Sequence, residues 1–271
     1  MAVPGKVRDR LVSGIKRLVP IVQQQKVRDV SEADTVTLVK DLLADVFGYD
    51  KYTELTSEHS IRGTFCDLAV KVADKLSLLI EVKSAGTTLD ARHVKQAIDY
   101  AANQGCEWVI LTNGSIWQFY QVMFAKPIDK RLLAEIDITA TDTRKEADLE
   151  RIMLLTKEGF LKGHHIELRD RQDATSRYLV AALLVNNESV LNTIRRELRR
   201  VVDVVVDESD VINVLRNEVI KRDALEGVEA DAAVKKVNRT GDRSIRKARE
   251  ASSTDASKVT IEPEGPVAET T

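Results

Sequence analysis

Phe65-Cys66-Asp67-Leu68-Ala69-Val70 and Leu78-Leu79-Ile80-Glu81-Val82-Lys83 are apolar runs interrupted by charge at a few fixed places. Over 52–61, 64–72 and 76–83 the pattern has a period of two, so the segments read as three strands, the last two joined at Ala73-Asp74-Lys75. Alternation places Leu76, Leu78, Ile80 and Val82 on one face of the third strand, with Leu79, Glu81 and Lys83 on the other. The carboxylate and the ammonium then share a side, roughly 7 Å apart along the backbone. By the same logic Asp67 lies opposite Leu68, Val70 and Val72. A three-residue turn would pair Val72 with Leu76 and set Asp67 across from Glu81, with Cβ atoms about 5 Å apart. A two-residue turn would slip the register by one and send Asp67 to the other face.

Outward from this hairpin, Ser31 reads as a helix N-cap followed by Glu32 and Asp34 in the first turn. Val36, Leu38, Val39, Leu42, Leu43 and Val46 form the apolar stripe of that helix, which ends at Gly48. Residues 5–28 read as a basic amphipathic helix interrupted by Pro20. After the strands a helix over 90–103 has Val94, Ala97, Ile98 and Ala101 at helical spacing and stops at Gly105. Trp108-Val109-Ile110-Leu111-Thr112 and Ile116-Trp117-Gln118-Phe119-Tyr120 flank Asn113-Gly114, a two-residue hairpin signal in which both central residues take positive φ. Beyond about 140 the spacing is helical throughout, and Arg195, Arg196, Arg199 and Arg200 cluster on one helix. From Ser252 onward the chain is too polar to bury much surface and is expected to be disordered. The domains are then a basic helix over 1–29, a mixed α/β domain over 30–140, a helical domain over 141–250 and a tail over 251–271.

Two carboxylates as close as Asp67 and Glu81 repel unless one is protonated or a cation lies between them. A hard divalent ion such as Mg²⁺ or Mn²⁺ takes both as oxygen ligands. Lys83 discriminates among uses of such a site, because its ammonium can position a water and offset charge developing on a phosphoryl transition state. Gln96 and Tyr100, four apart on the next helix, share a face about 6 Å apart at Cβ and offer hydrogen-bonding groups to the lysine, a phosphate or a base. Glu32 adds a carboxylate to the metal sphere or serves the positive end of its own helix. Cys66 and Cys106 fit neither a disulfide framework nor zinc spacing and read as buried, reduced thiols. His164-His165 lacks the neighbours of a metal site and reads as surface. A net charge of −2 gives no global case for nucleic-acid binding. No apolar run is long enough to span a membrane and no secretory leader is evident, so a cytoplasmic location is expected.

Asp67, Glu81-Val82-Lys83 and Gln96-Ala97-Ile98-Asp99-Tyr100, with Glu32 on the leading helix, resemble the PD-(D/E)XK nuclease superfamily, and within it the N-terminal nuclease domain of type I restriction enzyme R subunits. Leu111-Thr112-Asn113-Gly114-Ser115-Ile116-Trp117-Gln118-Phe119-Tyr120 is similar to the segment that closes that domain. Where the superfamily pattern has a proline before the first aspartate, this chain has Cys66. R subunits continue into an ATP-driven translocase, and this chain has no Gly-rich Lys-Ser/Thr phosphate loop. The resemblance implies a restriction-endonuclease-like mixed sheet with an αβββαβ core flanked by helices. It also implies a Mg²⁺- or Mn²⁺-dependent endodeoxyribonuclease of restriction or phage-defence type, with Asp67, Glu81 and Glu32 toward the metal and Lys83, Gln96 and Tyr100 supporting catalysis. DNA is the implied partner. Cutting both strands at once needs two sites, hence the expectation of a homodimer, with restriction-system subunits as the other candidate partners. The alternative is a nuclease-fold DNA-binding or assembly subunit of a larger complex without cleavage of its own.

Overall fold

The computed structural model describes residues 3–61, 64–90, 92–124 and 126–240. The expected tail over 251–271 lies outside them. The chain divides into two compact units, with the boundary between Arg169 and Asp170. The boundary expected near 140 falls inside the first, because helices α4 (Glu146–Ile152) and α5 (Lys157–Leu161) follow the sheet, and Leu149, Ile152, Met153 and Leu154 are part of its core.

The first unit is built on one six-stranded sheet whose spatial order follows the sequence: β1 (Leu55–Ile61), β2 (Thr64–Val72), β3 (Lys75–Val82), β4 (Trp108–Thr112), β5 (Ile116–Met123) and β6 (Asp129–Asp137). Every neighbour pair is antiparallel except β3 and β4, which run parallel and are joined through helix α3 (Lys95–Gln104). A parallel pair needs such a crossover, and the crossover brings the C-terminal ends of β3 and β4 side by side. On one face Leu68, Val70, Leu78, Ile80 and Trp117 pack with α1 (Gly5–Arg28) and α2 (Glu32–Asp41). On the other, Ala69, Leu79, Val109 and Leu111 pack with Val94, Ala97 and Ala101 of α3 and its approach.

Ser31 caps α2 as expected, its hydroxyl accepting from the Asp34 amide at 3.2 Å. That helix runs on into a π turn over Leu42–Val46 and ends at Gly48, whose φ of 84° demands glycine. Pro20 does not interrupt α1, which is continuous from Gly5 to Arg28. Leu18 and Val22 on either side of it are both buried, and that packing outweighs the one missing amide donor. Gly14 allows the close crossing of α1 over the π turn, since a Cβ there would come within 2.9 Å of Val46 Cγ2. Much of the basic charge on α1 is spent inside the unit. Arg8 pairs with Glu146, Arg10 with Glu158 at 2.6 Å and Arg17 with Asp45 at 2.5 Å.

Strand β6 escapes a period-two reading for a physical reason. Its pairing shifts where Phe119 faces Ala134 but Tyr120 faces Leu132, so the buried Leu133 and Ile136 stand three apart rather than two. His165, expected at the surface, is buried on α6 (His164–Ala174): it stacks on Phe160 at 4.3 Å and meets Trp108 edge-on at 4.6 Å. Burial lowers its pKa to about 4, so the ring is neutral.

The second unit is helical. It contains α7 (Arg177–Asn186), α8 (Glu188–Val202), α9 (Glu208–Val214) and a helix over 228–240. Ala182, Ala233 and Val237 form its small apolar centre, with Tyr178, Leu179 and Leu183 packed against them.

Candidate active site

The relation between Asp67 and Glu81 depends on how the β2–β3 hairpin turns. The expected three-residue turn is not formed. Val72 pairs with Lys75, leaving Ala73 and Asp74 alone in the turn with φ of 50° and 61°. By itself this would slip the register and put the acids on opposite faces. The strand recovers it two residues later: Lys71 pairs with Leu76 but Val70 with Leu78, so Ser77 is the extra residue of a β-bulge. The Ser77 hydroxyl donates to the Lys75 carbonyl at 2.9 Å. Beyond the bulge Leu68 pairs with Ile80, the end of the ladder, and that register continued by one step would set Asp67 opposite Glu81.

At that point β2 and β3 part, and side chains take over the ladder. The Val82 amide donates to Asp67 Oδ2 at 2.7 Å, and the Cys66 thiol donates to the Ile80 carbonyl at 3.2 Å. Asp67 is thereby fixed against the backbone between Glu81 and Lys83. On the other edge of β3, the Lys83 amide donates to the Thr112 carbonyl at 2.8 Å. Lys83 Nζ donates to Glu81 Oε1 at 2.7 Å and lies 3.4 Å from Glu32 Oε2 at the start of α2.

Glu81 is 4% exposed. Burial drives its pKa up to about 7; the Lys83 hydrogen bond opposes the rise and the charge of Asp67 adds to it. Lys83 loses some proton affinity to burial but gains more from Glu81, then from Glu32 and Asp67, and ends above the ordinary lysine value. The arrangement is a carboxylate held at high energy for want of cationic charge. One ammonium is shared among three acids.

The structure therefore brings together Asp67, Glu81, Lys83 and Glu32. Glu32 reaches the lysine rather than a three-carboxylate cage, and among the described residues no group of three or more His, Cys, Asp or Glu could hold a metal ion. Gln96 is exposed in the first turn of α3. Tyr100, one turn on, is 1% exposed and packs in the layer that contains Cys66, Cys106 and Leu79, where burial raises its pKa. The helix pair thus divides, with Tyr100 inside the α3–sheet packing. Both cysteines are buried free thiols, pushed up to about 12 at Cys66 and about 11 at Cys106 by burial, which leaves them unreactive.

Asn113 has a larger part than a turn residue. Only Gly114 of the Asn-Gly pair has positive φ, at 85°, and the connection is longer than two residues because Thr112 pairs with Trp117. Asn113 Oδ1 accepts from the amides of Ser115 and Ile116 at 3.0 and 2.8 Å, while its Nδ2 donates to the Thr87 carbonyl at 2.9 Å. It ties the segment after Lys83 to the end of β4. The Asn-Gly pair was legible, but its reach to Thr87 comes from the parallel β3–β4 contact, which local spacing does not encode.

No curated protein and no solved structure matches the chain. A family model does match the part that builds the sheet and holds Asp67, Glu81 and Lys83. Residues 38–137 match the family described as Type I restriction enzyme R protein N terminus (HSDR_N).

Proposed function

We propose that this chain is a Mg²⁺- or Mn²⁺-dependent endodeoxyribonuclease of restriction or phage-defence type, hydrolysing DNA phosphodiester bonds at a PD-(D/E)XK-like site. The observation that carries the reading is the buried Glu81, its pKa raised to about 7, hydrogen-bonded to Lys83 and close to Asp67, whose carboxylate accepts from the neighbouring Val82 amide. A hydrophobic strand end has no structural use for two acids and a lysine drawn together in this way. The restriction-enzyme family of residues 38–137 supports the same direction.

Asp67 and Glu81 are the residues that would hold the ion. Mg²⁺ commonly uses one or two carboxylates and keeps several waters, so two acids are a sufficient donor set. When bound, such an ion supplies Lewis-acid stabilisation to a phosphoryl oxygen. Lys83, relieved of Glu81, would direct its ammonium to the attacking water and to the charge gathering on phosphorus. Glu32 keeps that ammonium protonated and aimed, and the Asp67–Val82 hydrogen bond fixes the backbone between the two catalytic side chains. Gln96, exposed at the start of α3, is the helix residue that would meet a phosphate or base.

Supercoiled plasmid incubated with the protein and Mg²⁺ should be nicked or linearised, with Lys83→Ala slower by roughly 10²-fold or more. No metal-dependent cleavage at high protein concentration would overturn the proposal and favour a nuclease-fold subunit that acts only within a larger assembly.

A further inference from the structure

The turn between β4 and β5 is buried, although turns ordinarily lie in solvent, where water meets their polar groups. Thr112, Asn113 and Ser115 are enclosed, and the Ser115 hydroxyl has no hydrogen-bond partner among the described residues. The turn is closed from within: Thr112 Oγ1 donates to the Ile116 carbonyl at 2.8 Å and accepts from the Gly114 amide at 3.0 Å. Trp117 Nε1 donates to the Gly114 carbonyl at 3.2 Å. Joining two strands does not require such burial, and burying polar groups costs free energy, so the reason lies in what surrounds the turn.

Three supports of Lys83 meet there. The Lys83 amide donates to the Thr112 carbonyl at 2.8 Å, where the β3–β4 ladder ends. The next residue, Asn113, takes the chain beyond the lysine, its Nδ2 donating to the Thr87 carbonyl at 2.9 Å. Between these two anchors the chain is folded back on itself, with Ser84 Oγ 2.6 Å from Thr87 Oγ1 and the Thr87 amide donating to the Ser84 carbonyl at 3.0 Å. Gly86, at the crest of that loop, lies so close to Asp29 at the end of α1 that a Cβ would collide with the carboxylate. The third support is Glu32, on α2. A Cβ on Gly114 would stand 3.7 Å from Thr35 and Leu38 of that helix, so the turn also abuts the element that brings Glu32 to the lysine. The end of a strand frays unless the chain beyond it is tied, and Asn113 supplies the tie.

We infer that Asn113 is a positioning residue for Lys83: by holding Thr87 it keeps the end of β3 from fraying and fixes where the ammonium stands during phosphodiester cleavage. The inference rests on the nuclease reading. Asn113→Asp keeps the oxygen that accepts from the Ser115 and Ile116 amides and replaces the donor to Thr87 with a second oxygen. With plasmid and Mg²⁺ its kcat should fall by about tenfold while KM stays within about twofold. Mn²⁺ affinity, which belongs to Asp67 and Glu81, should not change. In the metal-free protein, amide hydrogen exchange over 84–90 should quicken by about tenfold while exchange over 108–112 stays as in the parent. Gly86→Ala displaces the same loop without touching the turn and should cause the same losses. Adding Asp29→Gly, which removes the obstructing carboxylate and suits the φ of 46° at that position, should restore both kcat and exchange. If Asn113→Asp does not fold, the Gly86 pair decides on the same terms. A parent that does not cut DNA refutes the nuclease reading and this inference with it. A parent that cuts, matched by Asn113→Asp in kcat or in exchange over 84–90, overturns the inference alone. So does a loss carried in KM or in Mn²⁺ affinity, or a Gly86→Ala loss that Asp29→Gly fails to restore.

Discussion

Glu81 is the residue on which the site turns. Its folded pKa, about 7, lies above the ordinary 4.5 because burial disfavours the carboxylate. A raised carboxyl pKa means that the folded state holds its proton longer than the unfolded state does. The associated stability is present below pH 4.5 and is lost as pH rises through 7. In metal-free buffer, Glu81→Gln should therefore gain in melting temperature relative to the parent as pH is raised from about 5 to about 8. A difference independent of pH in parallel melting curves would show that Glu81 is ionised throughout and not strained by burial. The pairing of Glu81 with Lys83 was legible two positions apart on a strand. The partner that Glu32 takes was not, because the approach of α2 to the end of β3 is a tertiary contact.

The β2–β3 hairpin shows how an element can reach an expected end by an unexpected route. The facing of Asp67 and Glu81 followed from period-two alternation and an assumed three-residue turn. The chain instead uses a two-residue turn and the Ser77 bulge, and the two irregularities cancel. Neither carries a local signature: Ala73 and Asp74 adopt positive φ without glycine or asparagine, and Ser77 is an unremarkable polar residue. Ala73→Asn with Asp74→Gly should stabilise the protein by about 0.5–1 kcal/mol in chemical denaturation, because both residues accept that conformation readily. Destabilisation would mean that the turn is not held at these dihedrals. Elements with a strong local period, α2, α3 and β2 to β5, were legible in the sequence. Strand β6 was hidden by its own bulge at Leu133, and the continuity of α1 through Pro20 by packing that outweighs a local rule.

For the chain as a whole, the sequence pattern marked a change from mixed to helical structure but not where compactness divides. The helices of 146–161 and His165 belong with the sheet, and what joins them is apolar contact, which has no period to read. His165 also sets an acid limit. Its pKa is lowered from 6.5 to about 4, first by burial and then by the charges of Arg169 and His164. The unfolded chain takes up this proton before the folded one, so stability present above pH 6.5 is lost as pH falls toward 4. The loss should be on the order of 2–3 kcal/mol. Replacing the ring by an apolar one, His165→Phe, should move the acid-unfolding midpoint to lower pH; an unchanged midpoint would show that this histidine does not govern acid unfolding.

The account rests on Asp67 and Glu81 acting together on a hard cation, and calorimetric titration of Mn²⁺ into the metal-free protein addresses that without reference to substrate. The parent chain should bind at one site with an affinity that rises from pH 6 to pH 8 as Glu81 ionises. Binding should disappear in Asp67→Ala and in Glu81→Gln and persist in Lys83→Ala. Equal binding in all four proteins, or none in the parent, would contradict it.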